Sequence, residues 1–473
     1  MKTPSTQKLK PAQPPALRDY QERLLKAILE QWAHHRRGLA QLPTGGGKTL
    51  LAAAIALEFA KRGERILFLA HRKELVFQAA EKIARTTGAS TGLILAGYPL
   101  EPDAQIQIAS LQSLPTRLSS FESFGAVLID EAHHTPAASY RKVLDAFPDS
   151  YVLGLTATPS RLDGTGFSDL FDFLVCGPTV AELIEQSYLS RFKLFASSNP
   201  MSTEGVRTRQ GDYSAGDVAR ENNIVQLAGD LVSAYQQRCP ASRCLVFAIN
   251  VSHSKAIAAQ YRAAGIAAQH LDGRTPASDR EAILRRFAIG EVKVLTNCSL
   301  FDEGLDIPAI EAVQIAKPTK SLVKWLQMVG RALRPAPGKD HAIILDHTNN
   351  WRLHGLPTRP RVWTLEGVET QNREVRSLSD GQIEESELQE LIITESEDQL
   401  EEISSDPMAE WRRIYEDLLF TQMIKGYNPG WIYHRLLELK PPFFIWLRYA
   451  QYRGYRSKWA LFRWQEQQEG GEA

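Results

Sequence analysis

Residues 42–49 read Leu-Pro-Thr-Gly-Gly-Gly-Lys-Thr and lead directly into the helical run Leu50–Lys61. This is the composition of a phosphate-binding turn. Thr44, Gly45, Gly46 and Gly47 let successive backbone N–H groups curl around phosphoryl oxygens, and the helix that follows adds positive potential at its N-terminus. Lys48 reaches the β- and γ-phosphates, and the Thr49 hydroxyl is placed for Mg²⁺. Leu42 stands where such a turn usually has its first glycine, so a Gly-rich turn beside a lysine is the competing reading. A phosphate loop needs a second half, an apolar strand ending in carboxylates. Residues 126–133, Ala-Val-Leu-Ile-Asp-Glu-Ala-His, supply it. Asp130 is expected in the Mg²⁺ shell, and Glu131 as the group that orients and deprotonates the attacking water, because ATP hydrolysis is mostly positioning and charge neutralisation.

Elements that could hold these residues recur along the chain. Short apolar runs at 66–70, 106–109, 126–130 and 151–155 form one series, and runs at 245–249, 292–296, 312–315 and 342–345 form a second. They are rich in Val, Ile and Leu and do not alternate, as expected of parallel strands covered by helices on both faces. The fold class is therefore α/β. Between Arg191 and Asp217 the series stops in a polar, Gly-containing stretch that predicts a loop or hinge between two domains. The expected organisation is a flexible N-terminus (1–16), a first domain (17–195), a second domain (217–360), an acidic linker (377–406) and a carboxy-terminal module (407–473).

The whole composition fits a globular protein of about three folding units: 473 residues, 43% hydrophobic and 23% charged. The formal charge of zero conceals segregation. Residues 380–406 hold eleven carboxylates and no Lys or Arg, whereas residues 407–473 carry a net +3, which leaves +8 on residues 1–379. A polyanionic partner is thus compatible with a neutral whole. Four scattered cysteines, Cys176, Cys239, Cys244 and Cys298, form neither a disulfide framework nor a C-x-x-C zinc site. No signal-like or membrane-length apolar stretch is present, so a cytoplasmic protein with no membrane partner is expected.

The last segment changes character. Fifteen aromatics lie between Trp411 and Trp464, interleaved with Arg and Lys, and a repeat with a period of 28 aligns Gly426-Tyr427, Trp431 and Arg435 with Gly454-Tyr455, Trp459 and Arg463. A small, mainly helical module with one Trp anchor per copy is predicted. Trp431 and Trp459 read best as core, while Tyr427, Tyr455, Arg435, Arg456 and Arg463 could stack on bases and neutralise phosphates. A protein partner docking on this module is the other possibility.

Asp130-Glu131-Ala132-His133 after Thr-Gly-Gly-Gly-Lys-Thr resembles the DEAH signature of superfamily 2 helicases and translocases. Further family motifs have counterparts in order. Residues 17–21, Leu-Arg-Asp-Tyr-Gln, resemble the adenine-reading segment with Gln21 on the base edge; residues 68–75 resemble motif Ia, and residues 154–159, Gly-Leu-Thr-Ala-Thr-Pro, resemble motif III. In the second domain, residues 297–308 with Gly304 and Asp306 resemble motif V, and residues 327–334, Gln-Met-Val-Gly-Arg-Ala-Leu-Arg, resemble motif VI. The wording is nearest the branch of XPB-like and RadD-like repair helicases and restriction-enzyme motor subunits. The resemblance implies two tandem RecA-like domains with parallel sheets, closing on ATP and Mg²⁺. The late cysteine cluster often carried by the RadD-like branch has no counterpart here.

Within that resemblance, Arg331 and Arg334 lie three apart on the helical run 321–333 and are expected as arginine fingers. Gly304 and Asp306 are expected near the nucleotide. Thr156 and Thr158 are expected to couple the ATP site to the nucleic-acid track, with His133 and Gln327 as interdomain hydrogen-bonding groups. Arg72 and Lys73, at a strand end and helix start, are expected either to grip nucleic-acid phosphates or to be ordinary solvated charge. His133 and His134 are adjacent and do not share a face, which argues against a metal pair. The implied function is an ATP-dependent nucleic-acid helicase or translocase, on DNA rather than RNA, in repair, recombination or restriction. Two alternatives remain, a motor subunit serving a separate nuclease and an ATP-gated clamp that does not unwind.

Overall fold

The structure, a computed structural model, describes residues 17–134, 137–161, 164–197, 200–209, 211–222, 224–301, 310–368, 400–403, 407–425, 427, 430–453, 455 and 457–469. The first seven strands are β1 (Arg37–Gln41), β2 (Ile66–Ala70), β3 (Thr91–Ile94), β4 (Ile106–Ser110), β5 (Ala126–Asp130), β6 (Tyr151–Thr156) and β7 (Phe173–Cys176). They form one parallel sheet in the order β3-β4-β2-β5-β6-β1-β7. Gln41 pairs with Thr156 and Asp130 with Leu155, so the carboxyl ends of β1, β6 and β5 stand side by side. That edge is where open α/β sheets bind ligands. The helix Lys48–Lys61 packs Leu51, Ile55 and Phe59 into the core, apolar on nearly all sides because it is covered by sheet and helices alike.

The second domain contributes β8 (Arg191–Ser197), a small hairpin of β9 (Thr208–Arg209) and β10 (Asp212–Tyr213), β11 (Cys244–Ala248), β12 (Ala268–Leu271), β13 (Val294–Asn297), β14 (Ala312–Ala316) and β15 (His341–Asp346). A second hairpin pairs β16 (Trp363–Thr364) with β17 (Gly367–Val368), and β18 (Leu400–Ile403) follows. The second sheet runs β12-β13-β11-β14-β15-β8-β18, parallel except for the antiparallel β18. The two sheets are those expected of tandem RecA-like domains.

Two sequence expectations are corrected here. The stretch after Arg191 opens with a strand of the second sheet rather than a hinge, because Phe192, Leu194 and Phe195 bury beside β15; the first domain therefore ends before 195. The acidic segment is not wholly a linker, since its residues 400–403 pair with the free edge of β8; residues 377–399 and 404–406 lie outside the described residues. Beyond 360 the chain returns to the first domain. Leu365 O accepts hydrogen bonds from Phe167 N at 2.5 Å and Ser168 N at 3.0 Å, and Gly367 bridges Thr165. The N-terminus 1–16 also lies outside the described residues.

The carboxy-terminal module is helical: Pro407–Lys425, Gly430–Leu439, Phe443–Arg453 and Ser457–Glu469 surround Ile432, Leu436, Trp446 and Tyr449. The 28-residue repeat is structural as well as sequential. Tyr427 N–H bonds Gln422 O at 3.1 Å, and Tyr455 N–H bonds Ala450 O at 2.7 Å, each reaching back five residues as at the close of a helix. Trp431 and Trp459 pack, partly buried, on the module's core.

Candidate active site

The phosphate turn is held from below. Gly47 caps the helix Lys48–Lys61 at φ 89°, and a Cβ there would lie 2.4 Å from Gln21 Nε2, so only glycine fits. Tyr20 donates its hydroxyl to Gly46 O at 2.8 Å, and Gln21 Nε2 donates to the same carbonyl at 3.1 Å. Gln21 Oε1 accepts Arg18 N–H at 3.0 Å. The Gln21 amide, 1% exposed, is thus a brace for the turn and keeps one N–H and one lone pair, enough to bond a base edge in both directions.

Lys48 is 8% exposed, and its Nζ lies 3.4 Å from Glu131 Oε1. Burial, and then the neighbouring Glu131 carboxylate, push the Asp130 carboxyl up to about 7, against the pull of Lys48 and of the Glu131 N–H, which donates to Asp130 Oδ1 at 3.1 Å. Glu131 has φ 47°, a left-handed backbone costing on the order of 1–3 kcal/mol in a non-glycine residue. This turn at the strand end brings one oxygen of Glu131 towards Lys48 and the other to 3.5 Å from His133 Nδ1.

A cleft of about 660 Å³ separates the two domains here. Gln21, Thr44, Gly45, Gly47, Lys48, Thr49, Asp130 and Glu131 line it from the first domain, and Gln327, Arg331 and Arg334 from the second. The volume lies within the ~300–1,000 Å³ of small-molecule sites. The helix Leu322–Gly330 ends one residue before Arg331, which is its C-cap, and a turn carries the chain on to Arg334. The two arginines therefore do not share a helical face as expected; the turn directs both to the cleft. At Gly330 a Cβ would meet Thr44 Cβ at 2.7 Å, so the absence of a side chain lets the helix end seat on the phosphate turn.

The domains are joined by polar contacts. Gln327 Nε2 donates to His133 Nε2 at 2.8 Å, which makes His133 the Nδ1–H tautomer, and Nδ1 donates to Thr156 Oγ1 at 3.0 Å. Thr156 Oγ1 also accepts Thr158 N–H and donates to Thr158 O. The pieces expected to couple the domains are thus one hydrogen-bonded chain. Ser190 N–H bonds Leu333 O at 2.8 Å. Arg72 donates to Leu300 O at 3.1 Å and Ser299 O at 3.3 Å, so its guanidinium crosses to the second domain. Lys73 Nζ lies 5.0 Å from the Tyr98 ring centroid. Gly304 and Asp306 lie outside the described residues.

Sequence reasoning missed Lys339. Its Nζ donates to Ile310 O at 2.8 Å, to Arg334 O at 2.9 Å and to Ala332 O, which fixes the turn bearing both arginines. A lysine shortly after a helix end is the available signal, because such side chains cap terminal carbonyls. Tyr20 was passed over beside Gln21, although a buried tyrosine hydroxyl requires a partner.

Comparisons with known proteins agree with this architecture. The family described as "Type III restriction enzyme, res subunit" matches residues 15–161, and "Helicase conserved C-terminal domain" matches residues 226–336. A "51.5 kDa protein" of a Lactococcus phage is 33% identical over 69% of the chain and 68% of its own length. The chain belongs to the superfamily 2 helicases and translocases. Among its superfamily 2 relatives, the "DNA 3'-5' translocase XPB2" of Sulfurisphaera tokodaii is 27% identical over 67% of the chain and 78% of that protein. The IRC3 protein of Saccharomyces cerevisiae is 28% identical over 70% of the chain, which spans about half (51%) of that relative. A solved type ISP restriction-modification enzyme, LlaBIII bound to DNA, shares the superfamily 2 fold at a TM-score of 0.53 and 17% identity, over 70% of this chain and 28% of that one. Among the described residues, no helix is long and apolar enough to cross a membrane.

Proposed function

We propose that the protein is a DEAH-type, nucleic-acid-stimulated ATPase that moves along or unwinds DNA in the cytoplasm. The observation that carries this reading is the apposition, across one cleft, of Lys48, Asp130 and Glu131 with Arg331 and Arg334. ATP would lie with its phosphates on the turn 44–49 and its base beside Gln21. The residues present suit Mg²⁺: the Thr49 hydroxyl and the Asp130 carboxylate are hard oxygen donors on one wall, and a buried carboxyl held up to about 7 is one that a nearby cation would return to its charged form. When bound, Mg²⁺ supplies neutralisation of the charge on the β- and γ-phosphate oxygens.

The chain's own residues then divide the work. Lys48 binds the terminal phosphates, Glu131 orients the attacking water and takes its proton, and Arg331 and Arg334 offset charge that develops on the phosphoryl group being transferred. Because the arginines come from the second domain, hydrolysis requires the domains to close. The chain from Gln327 through His133 and Thr156 to Thr158 gives nucleic acid bound between the domains a path to that closure. Arg72, with its two carbonyl contacts on the second domain, acts in the same closure, and Lys73 remains the candidate phosphate contact.

The restriction-type relatives support a second reading, a motor serving a nuclease on another chain. Strand displacement with forked, duplex and single-stranded DNA and RNA substrates tests the first reading: ATP-dependent unwinding or triplex displacement on DNA is expected. Switching of DNA affinity by ATP with neither movement nor unwinding would make it a clamp, and a co-purifying nuclease would favour the second reading.

A further inference from the structure

The carboxy-terminal module leaves aromatic surface exposed in one place. Of the seven large hydrophobic side chains found exposed among the described residues, Tyr452, Tyr455, Leu461 and Phe462 fall within eleven residues of one another, with Tyr455 at 42% and Phe462 at 56%. A cluster of this kind on an otherwise well-packed module marks an interaction surface.

The cluster is ordered as a stripe. The Arg453 guanidinium carbon lies 5.8 Å from the Tyr455 ring centre, Tyr455 packs on Trp459 at 4.8 Å, Arg463 lies 5.6 Å from Trp459, and the same Arg463 lies 5.5 Å from Phe462. Arg453, Tyr455, Trp459, Arg463 and Phe462 therefore stand in continuous contact over the helix Ser457–Glu469 and the turn before it.

The internal repeat provides an independent comparison. The first copy has the same ladder, Tyr427 on Trp431 at 5.0 Å and Arg435 at 5.7 Å from Trp431. Core positions differ between copies: Ile432 corresponds to Ala460, and Leu436 to the partly buried Trp464. Tyr433 and His434 of the first copy correspond to Leu461 and Phe462, both exposed. The Tyr, Trp and Arg positions are identical in both copies although the core beneath them is not. Packing alone does not account for a second copy that keeps the ladder and turns apolar side chains outward.

We propose that this stripe is a binding site for single-stranded nucleic acid, with unpaired bases stacking on Tyr455 and Phe462 and phosphates meeting Arg453 and Arg463. The inference rests on the motor reading for its polymer. Exposed rings flanked by guanidinium groups suit a chain of bases and phosphates, and the module's net +3 charge complements a polyanion. A protein partner would need neither the guanidinium groups beside the rings nor the charge.

The test uses the full chain and fluorescence anisotropy with labelled oligo-dT and with duplex DNA of equal length, at several salt concentrations. Tyr455→Ala with Phe462→Ala is expected to weaken oligo-dT binding about tenfold or more and to leave duplex binding within twofold. Arg463→Ala is expected to make the salt dependence shallower by ~0.7 in logarithmic slope. Tyr455→Phe, which keeps the ring, should bind as the parent does, and a far-ultraviolet spectrum of each variant checks the helices. Unchanged oligo-dT affinity and slope in the folded variants would overturn the proposal in favour of a protein-docking face, and equal losses for duplex would show charge rather than stacking. If the unsubstituted chain bound no nucleic acid and turned over no ATP, the motor reading itself would fail.

Discussion

Lys339→Met is expected to cripple ATP turnover in a chain that stays folded. The ammonium ties the carbonyls of Ala332 and Arg334 to that of Ile310, so its loss frees the turn that aims both arginines at the cleft. Two opposing magnitudes set the cost in stability. Burial pulls the lysine down to about 8 from 10.5, with Glu311 opposing and Arg243 adding to the shift. At ~1.36 kcal/mol per unit, holding the charge there costs about 3–4 kcal/mol. Each charge-assisted bond to a carbonyl returns ~1.5–3 kcal/mol. The variant therefore loses a few kcal/mol net, less than the ~5–15 kcal/mol of a typical domain. Turnover has further to fall, since an arginine finger can be worth ~10³ in rate. Steady-state ATPase beside a denaturant titration separates the two effects.

The same lysine gives a pH signature. Its folded pKa lies below its unfolded value, so between about 8 and 10.5 the unfolded state holds more protons and the Lys339 contribution to stability rises with pH. Turnover should move the other way, falling as pH rises through about 8 because Nζ then has one donor fewer for three carbonyls. Lys339→Met should lack that alkaline limb. Turnover within twofold of the parent, or an unchanged alkaline limb, would refute the role given to this residue.

Three further outcomes are expected. Arg334→Ala should lower turnover by ~10³ with ATP affinity nearly unchanged, because a finger acts on transition-state charge; comparing kcat with nucleotide titration checks this, and a large loss of affinity with kcat preserved would count against it. Gln327→Ala removes the donor to His133 and should cut nucleic-acid stimulation of ATP turnover at least tenfold while basal turnover changes less, as read in paired assays with and without oligonucleotide; undiminished stimulation would break the proposed coupling. Burial holds His347 down to about 3, so its contribution to stability is complete above pH 6.5 and is lost at ~1.4 kcal/mol per unit as pH falls from 6.5 towards 3. Denaturant melts at pH 7.5 and 5.0 should show a shallower acid loss in His347→Leu than in the parent, and parallel losses would contradict the assignment.

Local chemistry was legible in the sequence where one short stretch holds all of it. The phosphate turn, β5 with the carboxylates Asp130 and Glu131 at its end, and the strands opening at 66 and 151 announce themselves through apolar runs and glycines whose neighbours in sequence are also their neighbours in space. What escaped depends on contacts across the chain. Arg191–Ser197 alternates partly charged residues and reads as polar, and becomes a strand only because β15 offers an edge. Residues 400–403 are acidic and gain a strand in the same way from β8. The Arg331–Arg334 spacing suggested one continuous helix, whereas the helix ends at Gly330, where it seats on Thr44. Lys339 and the crossing of Arg72 to Ser299 and Leu300 are likewise long-range facts that periodicity does not encode.

The central claim is that this cleft hydrolyses ATP with Glu131 as base and drives a nucleic-acid motor. The most direct measurement is rapid-quench ATP turnover by the parent chain and by Glu131→Gln, with single-stranded DNA present and nucleotide binding followed in parallel. The account predicts DNA-stimulated phosphate release by the parent, and a variant that binds ATP as tightly but releases phosphate at least ~100-fold more slowly. Near-normal release by Glu131→Gln, or parent turnover indifferent to nucleic acid, would contradict it.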